Sequence, residues 1–223
     1  MADVSAGRTP RVGVLISGRG SNLQALIDAA RDPSYPAELT LVIANAPEAK
    51  GLERAEAAGI ATQVVDNALF ASRPGFEAAI TQALVEADCD LVCLAGFMRV
   101  LTADFVERWE NRLLNIHPSL LPAFPGLHTH AEAIAAGVRF TGATVHFVRA
   151  AVDAGPIVGQ AVVPVQPDDD AERLAARVLQ AEHRLYPHCL RLVAEGRTRV
   201  VGQRVEIDGG DGAPGQTLFS PEI

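Results

Sequence analysis

An asparagine and a histidine separated by one residue, Asn115 and His117, are the strongest chemical signal in this sequence. They end a short apolar run that predicts a strand over 112–116. Because side chains alternate along a strand, both should project to the same side. An amide can donate to a developing oxyanion, and an imidazole can move a proton near neutral pH. The pair indicates an acid–base site or, more simply, a structural histidine beside a capping asparagine.

Two acidic residues could join this pair. Asp153 stands in an Asp-Ala-Gly-Pro turn, where an aspartate is also common for structural reasons alone. Glu182 lies on the apolar stripe of a predicted long helix, formed by Leu174, Val178, Leu185 and Cys189. A carboxylate on such a stripe is costly to bury unless a group hydrogen-bonds to it. Glu182 therefore indicates a ligand contact or an edge position of the helix.

A glycine-rich turn, residues 18–23, joins the first predicted strand to the first predicted helix. It holds the first two glycines of the dinucleotide fingerprint, but Leu23 replaces the third. The second strand also ends at Asn45 and not at an acid. What remains is a helix start with free N–H groups at residues 20–22. This predicts a site for a single phosphate group or, alternatively, ordinary helix caps.

The order of the elements supplies a frame for these candidates. Apolar strands over 11–17, 39–44, 61–65 and 90–95 alternate with helical segments of about 10–15 residues. This alternation predicts an α/β fold with a doubly wound, mostly parallel sheet and helices on both faces. Ligands bind such sheets at the carboxyl ends of the strands.

Weaker patterns complete the predicted domain. Further helices are predicted over 22–31, 48–58, 74–88, 103–111, 130–137 and 170–195. Two strands are predicted over 141–149 and 157–166, and a last strand or hairpin over 198–207. Three prolines exclude a regular element from 117–126. We expect one domain over 1–207 and a flexible tail over 208–223.

Composition narrows the class of function. Nineteen basic and 27 acidic residues give a net charge of −8, which argues against a nucleic-acid partner. A membrane span is not expected, because no apolar stretch of about 18 residues lacks charges. With no signal-peptide pattern at the start, we expect a cytoplasmic protein. The cysteines are predicted to be buried apolar residues, and His117, His128 and His130 lack further ligands, so no metal is expected.

Several motifs resemble one family over residues 12–199, the glycinamide ribonucleotide transformylases, also called phosphoribosylglycinamide formyltransferases. The matching segments are 15–24 (Leu-Ile-Ser-Gly-Arg-Gly-Ser-Asn-Leu-Gln), 94–99 (Leu-Ala-Gly-Phe-Met-Arg), 114–122 (Leu-Asn-Ile-His-Pro-Ser-Leu-Leu-Pro), 125–130, 144–148, 153–156 and 180–183 (Gln-Ala-Glu-His). The Asn-x-His motif with a downstream aspartate is shared by the wider formyl-transfer superfamily. The Gly-Ser-Asn loop and the Gln-x-Glu-His helix are more restricted.

The resemblance implies a Rossmann-like formyltransferase fold and formyl transfer from 10-formyltetrahydrofolate to the amine of glycinamide ribonucleotide, in purine biosynthesis. It implies small-molecule substrates and no metal, and it leaves a monomer or a homodimer open. The implied catalytic residues are Asn115, His117 and Asp153. The implied contacts to the phosphoribosyl group are Gly20, Ser21, Asn22 and Glu182. The implied folate contacts are Arg73, Met98, Arg99, Val100, Leu101, Asn115 and the 149–153 loop.

The sequence departs from the family pattern at Arg19, at Ala123-Phe124 and at Ala150-Ala151. These departures concern substrate contacts and the edge of the folate pocket. The main alternative is a formyltetrahydrofolate deformylase, which shares the core but usually has an extra regulatory domain. A methionyl-tRNA formyltransferase would have a further nucleic-acid-binding domain. A ligand-binding module without turnover would have no use for a proton shuttle.

Overall fold

The computed structural model describes residues 8–209 and residue 220. Within these residues the chain forms one nine-stranded sheet. The strands are β1 Arg11–Ile16, β2 Glu38–Ala44, β3 Ala61–Val64, β4 Leu91–Leu94, β5 Leu113–His117, β6 Phe140–Phe147, β7 Ile157–Pro164, β8 Thr198–Val201 and β9 Arg204–Ile207. The helices are α1 Ser21–Ala30, α2 Gly51–Ala57, α3 Arg73–Glu86, α4 Ala103–Arg108, α5 Thr129–Ala135 and α6 Ala171–Ala194, with a 3-10 turn at Asn67–Leu69.

The strands lie in the order β3-β2-β1-β4-β5-β6-β7-β9-β8. Strands β1 to β5 run parallel and wind outward in both directions from β1 and β4, which confirms the predicted doubly wound, mostly parallel sheet. The direction reverses at β6, which runs antiparallel to both β5 and β7. The carboxyl ends of β1 and β4, where the strand order changes direction, form the crevice in which such sheets bind ligands.

Helices cover both faces of the sheet. Helices α1, α2 and α6 pack with Val12, Val14 and Ile16 of β1 on one face. Helices α3 and α4 pack with Leu15 on the other. The alternation of buried residues along β1 shows a strand covered on both sides, as its continuous apolar run predicts. In the described part of the chain, no helix has both the length and the apolar character to cross a membrane.

Several predicted boundaries are corrected by the structure. The helix predicted over 48–58 begins only at Gly51, whose N–H donates to the carbonyl of Gly18 (3.0 Å). The helix predicted over 103–111 ends at Arg108, and Asn111 takes a left-handed conformation with a φ of 57°. Segment 198–207 is a hairpin. The predicted flexible tail, 208–223, lies outside the described residues except at positions 208, 209 and 220.

Candidate active site

Asn115 and His117 lie on β5 and share one face of the sheet. Asn115 is the register partner of Leu94 at the end of β4, and His117 extends beyond that level. His117 is buried, with 4% of its surface exposed, and Asn115 is half-buried. On the other side, Asn115 is paired with His146 of β6. An amide and two imidazoles therefore meet where β5 passes the carboxyl ends of the parallel strands.

Asp153 reaches this group from the turn that joins β6 to β7. Because β6 runs antiparallel to β5, the turn starts beside Leu114, the register partner of Phe147, and folds back to reach His117. Asp153 takes a left-handed conformation with a φ of 54°. At Gly155 an added Cβ would stand 1.7 Å from the carbonyl oxygen of Phe147, so only glycine fits. This backbone path brings the Asp153 carboxylate to the histidine.

Both ring nitrogens of His117 face oxygen acceptors. Nε2 lies 3.0 Å from the carbonyl oxygen of Phe124, and Nδ1 lies 3.5 Å from Oδ2 of Asp153. The same carboxylate oxygen accepts the N–H of Gly126 at 2.9 Å. Acceptors on both sides of the ring fix the orientation of the His117 imidazole.

His146 is a site residue that the sequence analysis missed. Its Nδ1 lies 3.0 Å from the Phe147 carbonyl oxygen. Its Nε2 lies 3.2 Å from Nδ2 of Asn115 and 4.0 Å from Oδ1 of Asp153. Burial lowers the pKa of His146, with the Phe147 carbonyl and Asp153 opposing. A neutral ring that donates from Nδ1 to Phe147 must accept at Nε2, so the Asn115 amide nitrogen points at His146. Among the described residues, the second N–H of this amide has no acceptor and can bind a ligand.

The proline-rich loop after β5 is held by hydroxyl groups. Thr144 Oγ1 donates to the carbonyl of Ser119 (2.7 Å) and accepts the N–H of Leu121 (3.1 Å). The Ser119 hydroxyl, fully buried, donates to the carbonyl of Ala123 (2.6 Å). Prolines leave this segment few backbone donors, and these side chains supply the missing bonds. The loop is thereby fixed where it presents the carbonyl of Phe124 to His117.

The glycine loop and Glu182 form a second polar group. The alternative that Ser21 or Asn22 caps α1 is wrong, because Gly20 is the N-cap residue, with a φ of 69° and no side-chain cap. An added Cβ on Gly20 would meet Gly51 Cα at 2.7 Å, so the loop needs glycine. Asn22 instead donates from Nδ2 to Oε2 of Glu182 (2.6 Å). The first turn of α1 therefore keeps its N–H groups available to an anion.

Glu182 is a buried carboxylate, 7% exposed, on the apolar side of α6. Burial raises the pKa of Glu182, and the hydrogen bond from Asn22 acts in the opposite direction. Within the described residues, Oδ1 of Asn22 is buried without a hydrogen-bond partner. A buried polar atom without a hydrogen-bond partner lowers the stability of the protein unless a ligand supplies the missing hydrogen bond. The two side chains fit a polar ligand that also reaches the glycine loop.

The implied folate contacts fall into two places. Met98, Arg99, Val100 and Leu101 follow β4, and Arg73 is the first residue of α3. Met98 and Val100 are 66% and 55% exposed, although both are apolar, whereas Leu101 is buried. The N–H of Met98 donates to Oγ of Ser17 at the end of β1 (2.8 Å). The segment after β4 therefore offers exposed apolar side chains beside the glycine loop.

Metal-binding groups are not found in the part of the chain that the structure describes. Within it, no three His, Cys, Asp or Glu residues stand close enough to hold an ion. The three cysteines are buried thiols, and burial raises the pKa of Cys93 and of Cys189 to about 12. Such thiols are neutral at physiological pH and are poor nucleophiles. The groups that can react in the candidate site are therefore imidazole, amide and carboxylate groups.

The chain matches one protein family and several known proteins. The formyl transferase family model matches residues 10–190, which include every candidate residue above. The chain is 52% identical over 190 residues to the trifunctional purine biosynthetic protein adenosine-3 of Bos taurus, with 85% of this chain and 19% of that protein covered. It thus spans about a fifth of that relative. It is 44% identical to phosphoribosylglycinamide formyltransferase of Escherichia coli K12, with 88% and 92% covered.

Solved structures show the same likeness. Glycinamide ribonucleotide transformylase 1 from Symbiobacterium toebii superposes with a TM-score of 0.88 at 49% identity, with 90% of this chain and 95% of that one covered. A formyltetrahydrofolate deformylase from Burkholderia mallei superposes with a TM-score of 0.81, but at only 28% identity and with 91% and 70% covered. The chain is thus more similar to the transformylase than to the hydrolase.

The buried charge of Glu182 predicts how stability depends on pH. Because its folded-state pKa is raised, this residue's contribution to stability is present below about 4.5 and is lost as the pH rises through the folded-state pKa. Glu182→Gln keeps an oxygen for Asn22 but removes the charge. We expect the ligand-free variant to have a higher free energy of unfolding than the wild type at neutral pH, by a margin that shrinks towards pH 4.

Urea unfolding of the wild type and of Glu182→Gln, from neutral pH down to about pH 4, measures this difference in the free energy of unfolding. Glu86→Gln, which alters an exposed carboxylate on α3, is the control and should show no such trend. A Glu182→Gln variant less stable than the wild type at neutral pH would mean that the ligand-free protein stabilises this charge.

Proposed function

The chain belongs to the formyl transferase family, and we propose that it transfers the formyl group of 10-formyltetrahydrofolate to the amine of glycinamide ribonucleotide, a step of purine biosynthesis. The observation that carries the proposal is that two polar groups with different chemistry lie along one edge of the sheet, one beyond β1 and one on β5, with β4 between them. One contains Asn115, His117 and Asp153, and the other joins the glycine loop to Glu182. The first suits the transfer, and the second suits a phosphorylated acceptor.

The catalytic role rests on charge complementarity. Attack of the amine on the formyl carbon places negative charge on the former carbonyl oxygen. The free N–H of Asn115 stabilises that oxygen, as a fixed donor in a buried site does. The Nε2–H of His117 joins it by exchanging the carbonyl of Phe124 for that oxygen. Asp153 holds the ring from Nδ1, at 3.5 Å. His146, in turn, holds the amide of Asn115.

The transfer also requires one proton to move. As the new carbon–nitrogen bond forms, the attacking amine must lose a proton. As the bond from the formyl carbon to N10 of the folate breaks, N10 must gain one. The Asp153 carboxylate, 10% exposed, carries this proton with the help of a water molecule. No covalent enzyme intermediate is needed.

The acceptor binds across the glycine loop and α6. The phosphate lies at Gly20, Ser21 and Asn22, where the first turn of α1 supplies N–H donors. The carboxylate of Glu182 and the unpartnered Oδ1 of Asn22 accept from ribose hydroxyls. The formyl donor binds against Arg73, Met98, Arg99, Val100 and Leu101, and reaches Asn115 with its formyl group.

Hydrolysis of 10-formyltetrahydrofolate, the reaction of a deformylase, is the alternative function. It would use the same catalytic group with water as the nucleophile. The glycine loop and the buried Asn22–Glu182 pair favour the transferase, since a hydrolase needs no site for a ribonucleotide. A transferase must also keep water away from the formyl carbon until the amine arrives.

Substitutions in the catalytic group should lower turnover more than stability. His117→Ala is expected to reduce kcat by on the order of 10²–10⁴, the range for loss of an acid–base residue. Asn115→Ala is expected to cost on the order of 10²–10³, the range for one oxyanion donor. Steady-state kinetics measure the loss, and thermal unfolding serves as the folding control. A His117→Ala variant with near-normal turnover would remove this residue from the mechanism.

The acceptor site predicts a selective effect of Glu182→Gln. Because a hydrogen bond to a charged group contributes roughly 1.5–3 kcal/mol, KM for glycinamide ribonucleotide should rise about tenfold or more. KM for the formyl donor should change little. Both constants come from initial rates at saturating cosubstrate. An equal rise in both would instead assign Glu182 a structural role.

The reaction itself is tested by release of tetrahydrofolate, followed by absorbance with and without glycinamide ribonucleotide. We expect negligible release from the formyl donor alone and rapid release once the amine is added. His117→Ala under the same conditions corrects for uncatalysed breakdown of the donor. Equal rates with and without the amine would favour the deformylase and rule out the transferase.

A further inference from the structure

A buried carboxylate outside the catalytic group ties two helices together. Glu77 lies in α3 and is only 4% exposed. Its Oε1 accepts the backbone N–H of Thr102 at 2.9 Å, and its Oε2 accepts the hydroxyl of the same residue. Thr102 is the N-cap of α4, and its hydroxyl oxygen also accepts the N–H of Phe105 (3.4 Å). One carboxylate thus meets both donors of a residue 25 positions away.

The segment before Thr102 is fastened at both ends. At its start, the N–H of Met98 donates to the Ser17 hydroxyl (2.8 Å), and the N–H of Ser17 donates to the carbonyl of Gly96 (3.2 Å). At its end, Glu77 holds Thr102. Residues 98–101 bridge these two anchors, and positions 98–100 are exposed. The exposed residues 98–100 therefore depend on the anchors for their positions, whereas Leu101 packs into the core.

The same carboxylate also links α3 to this segment. Arg73, the first residue of α3, precedes Glu77 by one helical turn, so the two lie on one side of the helix. Arg73 and residues 98–101 are the two separate parts of the folate site proposed above. Within the described hydrogen bonds, Glu77 to Thr102 is the polar link between the helix and this segment.

We propose that Glu77 is a positioning residue for the formyl donor, holding Arg73 and residues 98–101 at the separation that binds it. This inference rests on the proposed function. A buried carboxylate loses its hydration, which costs free energy. Apolar side chains could join the same two elements without that penalty. A carboxylate differs from apolar side chains because its two hydrogen bonds are directional. They fix the orientation of Thr102 relative to α3. That suits a role in setting the geometry of a site.

The test measures KM for each substrate and kcat for Glu77→Ala. We expect KM for 10-formyltetrahydrofolate to rise on the order of tenfold, as expected when hydrogen bonds to a charged group are lost. KM for glycinamide ribonucleotide should stay within about twofold, because none of the described hydrogen bonds joins Glu77 to Glu182 or to the glycine loop. Glu77→Gln keeps an acceptor for the Thr102 N–H and should restore most of the donor affinity.

The matched control is Glu86→Ala at the other end of α3, where the exposed carboxylate accepts from Gln82 of the same helix (2.8 Å). It should change neither KM. If Glu77→Ala does not fold, Thr102→Val tests the same link, since it removes one hydroxyl from the contact with little change of shape. It should raise KM for the donor alone, by a smaller factor.

The outcomes separate this inference from the proposed function. A wild-type protein that transfers no formyl group refutes the proposed function. An active wild type whose Glu77→Ala variant shows an equal rise in both KM values, or lower stability with both KM values unchanged, overturns the role of Glu77. With Thr102→Val as the readout, an unchanged donor KM overturns it equally.

Discussion

The contact between His117 and Asp153 is the constraint on which the site depends. The two side chains come from a parallel strand and from a turn that starts beside the opposite end of that strand, and they meet at 3.5 Å. Three local features make this possible: the reversal of direction at β6, the left-handed backbone of Asp153, and the absence of a side chain at Gly155. Together they place a carboxylate against an imidazole where both side chains are largely closed to water.

The buried polar groups divide into those that fix geometry and those that wait for a ligand. The hydrogen bonds of His146 are satisfied, and its neutral ring orients Asn115 at little electrostatic cost. Asn22 and Glu182 are different, because burial raises the pKa of the carboxyl and one amide oxygen lacks a partner among the described residues. Such a pair is costly in the free protein, and a hydroxyl-bearing ligand would supply the missing hydrogen bonds. Under the proposed function, this cost lies where the acceptor would bind.

The patterns that the sequence revealed are local ones. The Asn115–His117 spacing follows from the alternation of a strand, and the glycine loop follows from a strand, a turn and a helix in succession. The partners of these residues depend on register. His146 faces Asn115 only because β6 pairs antiparallel with β5, and no local pattern carries that pairing. In the sequence Glu77 looks like any polar position of a helix, and its partner Thr102 lies 25 positions away, beyond the reach of a local pattern.

The reversal of strand order also explains why the two proposed substrate sites adjoin. The loop after β1 turns towards one side of the sheet and the loop after β4 towards the other, and Ser17 lies between them. Its N–H and hydroxyl bind Gly96 and Met98, while the next residues form the glycine loop. The phosphate end of the acceptor site and the apolar segment of the donor site therefore share one anchor on β1. With β5 alongside β4, Asn115 and His117 stand next to the same crevice, where an amine from one side can meet a formyl group from the other.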